Sequence, residues 1–304
     1  MILYCPPMAR HQIQRFPILL AALVSGATAC AEPHTDDRLQ VMGKLEHKRI
    51  DEASGIQAGH NGVFYVHNDQ KRDVFVIDET GRNLGAFKLD GSKSKDWEDI
   101  TRIPNDGNPL LVIADTGDNK ARRDEVQLYF FAEPEEGEYA KDHDVTHRLT
   151  VTYPDGSRDV ESVAYDSSGR DILLLSKRDH PPRLYRLPLD KALAREELEA
   201  EFLAEVPTLR PPTSQDLLTS PKRGPWVSQP TALDISPDGR TAALLTYRSL
   251  YIYRRIEGKT WSEAFQKEPE EFVGPPGTHD EAVGFSLDGK SVYVTTERRP
   301  APVY

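Results

Sequence analysis

Asp159-Val160-Glu161-Ser162-Val163 places two acids at the head of a predicted strand, and similar stretches return along the chain. The other copies are Asp51-Glu52-Ala53-Ser54-Gly55-Ile56, Asp96-Trp97-Glu98-Asp99-Ile100, Gln229-Pro230-Thr231-Ala232-Leu233 and Asp280-Glu281-Ala282-Val283, of which the one at 229–233 lacks the acid. Each copy begins a unit of several apolar runs. Repeats of this length made of strands indicate a β-propeller, in which equivalent residues of successive blades converge on a central axis.

Turn signals such as Asn61-Gly62 and Asp238-Gly239 divide these units into hairpins. The strands predicted from the apolar runs are 53–57, 63–67, 73–78 and 83–89 in the first unit, 100–104, 110–114, 126–131 and 148–153 in the second, 162–166, 172–176, 184–187 and 201–206 in the third, 231–236, 241–246, 250–254 and 271–274 in the fourth, and 282–286, 291–295 and 302–304 in the fifth. A strand predicted for 39–45 supplies the one that the fifth unit lacks.

The sequence therefore predicts one all-β domain over residues 39–304, a five-bladed propeller closed by its N- and C-terminal strands, which removes exposed sheet edges. The motif glutamates or their equivalents stand at positions 52, 98, 161, 231 and 281. Because these spacings are uneven, a sixth, irregular blade stays open as an alternative.

The N-terminus has the pattern of a secretory signal. Arg10 and Arg15 precede an apolar run over 16–24, too short to span a bilayer, and then small residues. We expect a signal peptide over 1–31, a tether over 32–38, and a secreted or periplasmic protein. Cleavage after Ala29 would leave Cys30 as an acylation site and the only link to a membrane, and cleavage after Ala31 is the alternative. The mature domain has no other cysteine, so its fold rests on its core.

The formal net charge of −11 argues against a nucleic-acid partner, because a polyanion would be repelled. Cations are the natural ligands of such a chain, although surplus acid also serves solubility alone. We expect a monomer with a small-molecule or envelope ligand in a central funnel.

Acidic and amide side chains recur at the motif heads and where each second strand ends. Carboxylate and amide oxygens are the ligands that calcium prefers. The residues predicted to bind calcium or a similar divalent ion are Glu52, Asp69, Asp115, Asp118, Asn119 and Glu281. The alternative is a polar plug, in which the acids pair with Lys177, Arg178, Arg248 and Arg298.

Three functions remain open for this funnel, and the sequence leaves open whether the protein is an enzyme. In metal-assisted hydrolysis of an ester or phosphoester, Lys177, Arg248 or Arg298 would stabilise negative charge and Glu98 or Glu161 would act as the base. A binding module without turnover and a glycoside hydrolase with two catalytic carboxylates are the alternatives. The stretch 284–288 lacks the second glycine of a nucleophile elbow, which disfavours a serine hydrolase.

The segment 208–228 is rich in Pro and Ser and interrupts the spacing of the units before the fourth copy of the motif. It either overhangs the mouth of the channel or is a surface excursion.

Two stretches carry a family resemblance. Glu52–Ile56 with Phe64–Asp69, and Asp96–Ile100 with Ala114–Asn119, resemble a family of uncharacterised secreted bacterial propeller proteins over most of the chain after residue 45. More distantly, the acid-lined channel is similar to those of calcium-dependent propeller hydrolases, the lactonases and propeller phytases. The first resemblance implies a propeller without a known activity, and the second implies architecture only, since a shared fold does not carry function.

Overall fold

The computed structural model describes residues 38–105, 107–274, 280–297 and 299–304. The predicted signal peptide, the tether up to residue 37, Cys30 and Arg298 lie outside the described residues. Among the described residues, no helix has the length and apolar character needed to cross a membrane.

Five antiparallel sheets follow one another along the chain, each formed largely by consecutive strands. The chain starts with β1 (Gly43–Lys44), and the first blade comprises β2 (Ala53–Ala58), β3 (Val63–Asn68), β4 (Asp73–Asp78) and β5 (Asn83–Asp90). The second group of strands is β6 (Asp99–Ile103), β7 (Leu110–Asp115), β8 (Val126–Ala132), β9 (His143–Asp144) and β10 (His147–Thr152). Of these, β9 leaves the second blade and pairs in parallel with β5.

The third blade contains β11 (Val160–Asp166), β12 (Asp171–Ser176) and β13 (Arg183–Pro188), then the helix α1 (Leu189–Ala194), β14 (Glu197–Glu199) and β15 (Glu201–Glu205). Strand β14 pairs in parallel with β10 of the second blade. After α2 (Ser214–Thr219), the fourth blade comprises β16 (Pro230–Ile235), β17 (Thr241–Thr246), β18 (Ser249–Arg254), α3 (Trp261–Ala264) and β19 (Glu270–Val273). The fifth blade has β20 (Asp280–Phe285), β21 (Val292–Thr296) and β22 (Pro302–Val303).

The two chain ends close the ring. Strand β1 pairs with β22 as the outer strand of the fifth blade. Met42 N donates to Val303 O at 2.8 Å, and Leu45 N donates to Ala301 O at 2.9 Å. The five-bladed propeller and its closure by the terminal strands are therefore confirmed, and the described strands form no sixth blade.

Most of the predicted strands agree with the observed ones to within one or two residues at each end. The reason is that these strands are buried on both faces or alternate between buried and exposed residues, as in β12, whose six residues are all buried. The short strands β9 and β14 were not predicted, and β1 is shorter than expected. The core consists of apolar clusters packed between neighbouring blades, such as Val112, Leu128, Val163 and Leu174 between the second and third.

Candidate functional site

A cavity of about 280 Å³ opens where the inner strands of the blades begin. Within the part of the chain that the structure describes, its lining contains seven acids and two bases. The acids are Glu52, Asp69, Asp96, Glu98, Glu161, Glu281 and Glu297, the bases are Lys177 and Arg178, and the remaining residues are Ala53, Ser54, Asn119, Trp226, Gln229 and Tyr247. The predicted convergence of the motif acids on one site is thus present in the structure.

The backbone register decides which acids are equivalent. The carbonyl oxygens of Glu52, Asp96 and Asp159 accept equivalent hydrogen bonds from the nitrogens of Asp69, Gly117 and Lys177, at 3.3, 3.2 and 2.9 Å. Glu52 therefore corresponds to Asp96 and Asp159. The sequence alignment of the motif, which matched Glu52 with Glu98, is wrong by two residues.

A β-bulge accompanies this register in most of the blades. The pairing of the inner strand with its neighbour skips one residue in four blades, between Ala53 and Gly55, Val160 and Ser162, Pro230 and Ala232, and Asp280 and Ala282. The skipped residues are Ser54, Glu161, Thr231 and Glu281. A bulge re-aims a side chain and ends regular pairing, and bulges are common beside active sites.

Three carboxylates meet between the second and third blades. Oxygen atoms of Glu98, Asp159 and Glu161 all lie within 4.8 Å of one another, and the three residues are buried. We call them the acidic triad. Oxygen donors gathered in this way are the ligand set of a hard divalent cation, so these residues fit such an ion.

Gly117 makes room for the acidic triad. A Cβ at this position would lie 1.9 Å from Glu98 Oε1 and 2.5 Å from Asp96 Oδ2. Any side chain there would collide with both carboxylates. The turn at 115–119, which contains three of the predicted calcium ligands, therefore leaves space beside Glu98 and Asp96 through Gly117.

Two cationic side chains contact the acidic triad. Lys177 Nζ donates to Glu161, and it lies 5.0 Å from the centre of the Tyr247 ring. Arg178 Nε donates to Asp159 Oδ2 at 2.5 Å. These two pairs realise part of the predicted polar plug, but seven lining acids outnumber the two lining bases.

Burial shifts the acids toward their neutral forms. It raises the pKa of Glu98 well above the usual range, with Glu161 adding to the shift. Burial also raises the pKa of Glu161 to about 7, although Lys177 opposes the shift. The pKa of Asp69 is raised to about 7 by burial and by the charge of Glu52. These carboxyls hold protons near neutral pH unless a cation replaces them.

Seven of the predicted site residues line the cavity, namely Glu52, Asp69, Glu98, Asn119, Glu161, Lys177 and Glu281. Two predicted calcium ligands instead hold the 115–123 loop. Asp115 Oδ1 accepts from Asp96 N at 3.0 Å and pairs with Arg123 at 3.0 Å. Asp118 Oδ2 accepts from the nitrogens of Arg122 and Arg123, both at 2.6 Å. Neither Asp115 nor Asp118 is brought to the cavity, because backbone amides and Arg123 engage their oxygens.

The two predicted arginines have other outcomes. Arg248 pairs with Asp216 at 2.7 Å and donates to Arg210 O at 2.5 Å, so it anchors the 208–228 segment and does not line the cavity. Arg298 lies outside the described residues.

The sequence reasoning assigned no role to several residues that the structure brings to the site. Asp159 completes the acidic triad, and Asp96, Tyr247, Glu297 and Trp226 line the cavity. The sequence signal for Asp159 and Asp96 was the spacing Asp-x-Glu. It occurs at Asp96 and Glu98 and again at Asp159 and Glu161. In both pairs the structure brings the two acids to the same end of the blades.

The 208–228 segment folds over the cavity. It carries α2 and a single 3-10 turn, Gly224–Trp226, whose tryptophan lines the cavity beside the acids. The alternative that places this segment over the channel mouth is therefore the correct one.

No protein-family model matches the chain, and no curated protein matches it. Among solved structures, a protein described as a "putative gluconolactonase" is similar over 85% of this chain and 74% of its own, with 13% identity and a TM-score of 0.45. Chaetomium thermophilum Raptor is similar over 85% of this chain, with 11% identity and a TM-score of 0.40, and the chain spans only 20% of its length. Likenesses this distant concern the fold alone.

Proposed function

We propose that the central cavity is the active site of a hydrolase that uses a divalent cation, with calcium as the ion, and that its substrates are esters. The observation that carries this proposal is the acidic triad, three buried carboxylates within 4.8 Å of one another in an acid-rich cavity. Buried carboxylates at this separation repel one another and require a cation or protons.

Glu98, Asp159 and Glu161 would hold the ion, with Asp96 beside Glu98. A cation at this position polarises the substrate carbonyl and makes its carbon more electrophilic. Lys177, which is buried against Glu161, would stabilise the negative charge that develops on the substrate oxygen.

Asp69 is suited to be the general base. It lines the same cavity, and its buried Oδ1 has no hydrogen-bond partner among the described atoms. With a pKa raised to about 7, it can take a proton from water at neutral pH and return it. The water oxygen forms the new bond to the acyl carbon, the bond from this carbon to the alcohol oxygen breaks, and Asp69 gives its proton to the leaving alcohol.

The test is calcium binding combined with ester hydrolysis. We would measure melting of the mature protein in EDTA and with added calcium, magnesium or manganese, and hydrolysis of phenyl acetate and of a six-membered lactone. A ligand that binds only the native state raises the melting temperature with its concentration. We expect a calcium-dependent rise and calcium-dependent turnover, both of which are lost in Glu98→Gln and Asp159→Asn.

Glu257→Gln is the matched control, because this glutamate side chain is 91% exposed and remote from the acidic triad. Turnover that survives both EDTA and Glu98→Gln would refute the proposal. Cleavage of glycans that is insensitive to EDTA and needs two acids would favour the glycoside hydrolase. Calcium binding without turnover would favour a binding module. The ion pairs of Lys177 with Glu161 and of Arg178 with Asp159 support this alternative, because they partly neutralise the cavity.

The address of the protein is part of the proposal. We propose export through the N-terminal signal with cleavage after Ala29, which leaves a monomer held at a membrane only by lipid on Cys30. Mass spectrometry of the mature N-terminus would show an acylated Cys30, and an unmodified residue 32 would instead show cleavage after Ala31.

A further inference from the structure

Trp226 is the feature of the cavity that the proposed chemistry leaves unused. Its side chain is 48% exposed although it lines the same cavity as the acids. The other tryptophans, Trp97 and Trp261, are buried in the blades. A large aromatic ring exposed at the rim of a site offers a flat apolar face for a ligand.

The fold holds Trp226 in this exposed place. The Arg248 side chain is 9% exposed and binds Asp216 in α2 together with Arg210 O. Arg210 binds both carboxylate oxygens of Glu271 in β19, at 3.0 Å each. Helix α2 begins with a capping box formed by Thr213 and Asp216. The segment is therefore a fixed roof over one side of the cavity.

Charge restricts what can reach this ring. Among the described residues, seven acids and two bases line the cavity, and both of these bases contact carboxylates of the acidic triad. A divalent ion bound to the acidic triad offsets two of the triad's negative charges, and the carboxyl groups of Glu52 and Asp96 remain on the lining beside it even where Asp69 holds a proton. Walls of one sign raise the local concentration of ligands of the other sign and repel those of the same sign.

From these observations, and resting on the proposed function, we infer that the substrate is a non-anionic ester with a planar ring, that this ring packs on Trp226, and that phosphoesters and other anionic esters are rejected. Trp226 is then a specificity-determining residue, and Arg248 is the positioning residue that holds it. Of the two substrate classes that the sequence left open, esters and phosphoesters, esters are therefore the ones that this cavity accepts.

The first experiment compares matched probes with calcium present. We expect kcat/KM for phenyl acetate to exceed that for 4-carboxyphenyl acetate by about tenfold at low salt, with the ratio falling as salt is added. We expect no hydrolysis of phenyl phosphate. Equal rates for the neutral and anionic probes, or turnover of phenyl phosphate, would overturn the inference.

The second experiment removes the ring. Trp226→Ala should raise KM for phenyl acetate about three- to tenfold, the usual worth of an aromatic contact, and leave ethyl acetate, which lacks a ring, unchanged. Trp226→Phe should restore most of the affinity for phenyl acetate. An equal loss for both esters in Trp226→Ala would show that the residue is only structural and would contradict the inference.

A third measurement needs no catalysis. The fluorescence of Trp226 is the part of the protein's emission that is lost in Trp226→Phe. We would quench it with caesium and with iodide at constant ionic strength and take the ratio of the two quenching constants. We expect the ratio of caesium to iodide quenching to be higher for Trp226 than for free N-acetyltryptophanamide. Preferential quenching by iodide would overturn the charge argument. If caesium is preferred but no ester is hydrolysed, both the proposed function and the substrate class are refuted. If esters are hydrolysed at rates that do not depend on the ring or the charge of the substrate, only the substrate class is refuted.

Discussion

Lys177 donates a hydrogen bond to Glu161 inside the central cavity, and both side chains are more than nine-tenths buried. Glu161 also belongs to the acidic triad with Glu98 and Asp159. The ammonium group therefore offsets one negative charge of the triad, as Arg178 does at Asp159. A divalent cation that binds the triad has to compete with the Lys177 ammonium. The charge of Glu281 also raises the pKa of Lys177, so Glu281 attracts the ammonium as well.

Replacing Lys177 by Met removes the buried partner of Glu161. Breaking a buried ion pair from one side is costly, so we expect the free energy of unfolding in EDTA to fall by about 3 kcal/mol. Added calcium should then stabilise the variant more than the wild type, because the competing ammonium is gone. Urea unfolding with and without calcium measures both effects. Lys71→Met, at a half-exposed pair with Asp51, is the control, and an equal response of the two variants would contradict this role of Lys177.

Asp69→Asn should flatten the pH dependence of stability. Burial and Glu52 raise the pKa of Asp69 to about 7, so the native state keeps a proton that the unfolded state has lost. The stabilisation is complete below the ordinary pKa of about 4 and is lost as the pH rises through about 7. In EDTA, the difference in free energy of unfolding between variant and wild type should shift by about 1 to 2 kcal/mol in favour of the variant from pH 4 to pH 8. This figure is reduced because the carboxyl is partly exposed.

The measurement is urea unfolding of both proteins across this range. Asp51→Asn, which changes an exposed acid next to Glu52, should keep the slope of the wild type. An Asp69→Asn profile that follows the wild type would show that Asp69 keeps an ordinary pKa in the folded protein.

Arg248→Met should release the roof segment. The Arg248 side chain joins Asp216 and the carbonyl of Arg210 to the fourth blade, and its loss removes these contacts while Thr213 still donates to Asp216 and Ser228 to Arg210 O. We expect trypsin to cut after Lys222 or Arg223 at least about tenfold faster, since proteolysis follows local opening of exposed segments. Cleavage would be followed by mass spectrometry, with Arg254→Met, whose side chain is 72% exposed, as the control. Unchanged cleavage would mean that other contacts hold the segment.

Val303→Ala tests the ring closure. Val303 is 1% exposed and packs with Leu45 and Ile50. It lies in β22, the C-terminal strand that pairs with β1. Loss of its buried methyl groups should lower the free energy of unfolding by about 2 kcal/mol. Val41→Ala, at a side chain that is 66% exposed, should change it by less than about 0.5 kcal/mol. Equal effects in urea unfolding would argue against a closed fifth blade.

The strands and their order could be predicted because their signals are local. Alternation over Val63–Asn68 or the apolar run in Asp171–Ser176 can be recognised within a few residues, and glycine-containing turns mark where each strand ends. The short parallel strands β9 and β14 escaped prediction, because each has only two or three residues and is fixed by pairing with a distant strand.

The sequence by itself determined that acids recur at the head of successive blades, since the fold brings every copy of a repeat to the same end of one axis. Only the tertiary structure decided which acids meet. The pairing of each inner strand with its neighbour aligned Glu52 with Asp96 and Asp159. The packing of the second blade against the third joined Asp159 and Glu161 to Glu98. Backbone amides and Arg123 engaged Asp115 and Asp118 elsewhere. Register and hydrogen-bond partners depend on pairing between strands, and no local pattern in the chain specifies that pairing to a single residue.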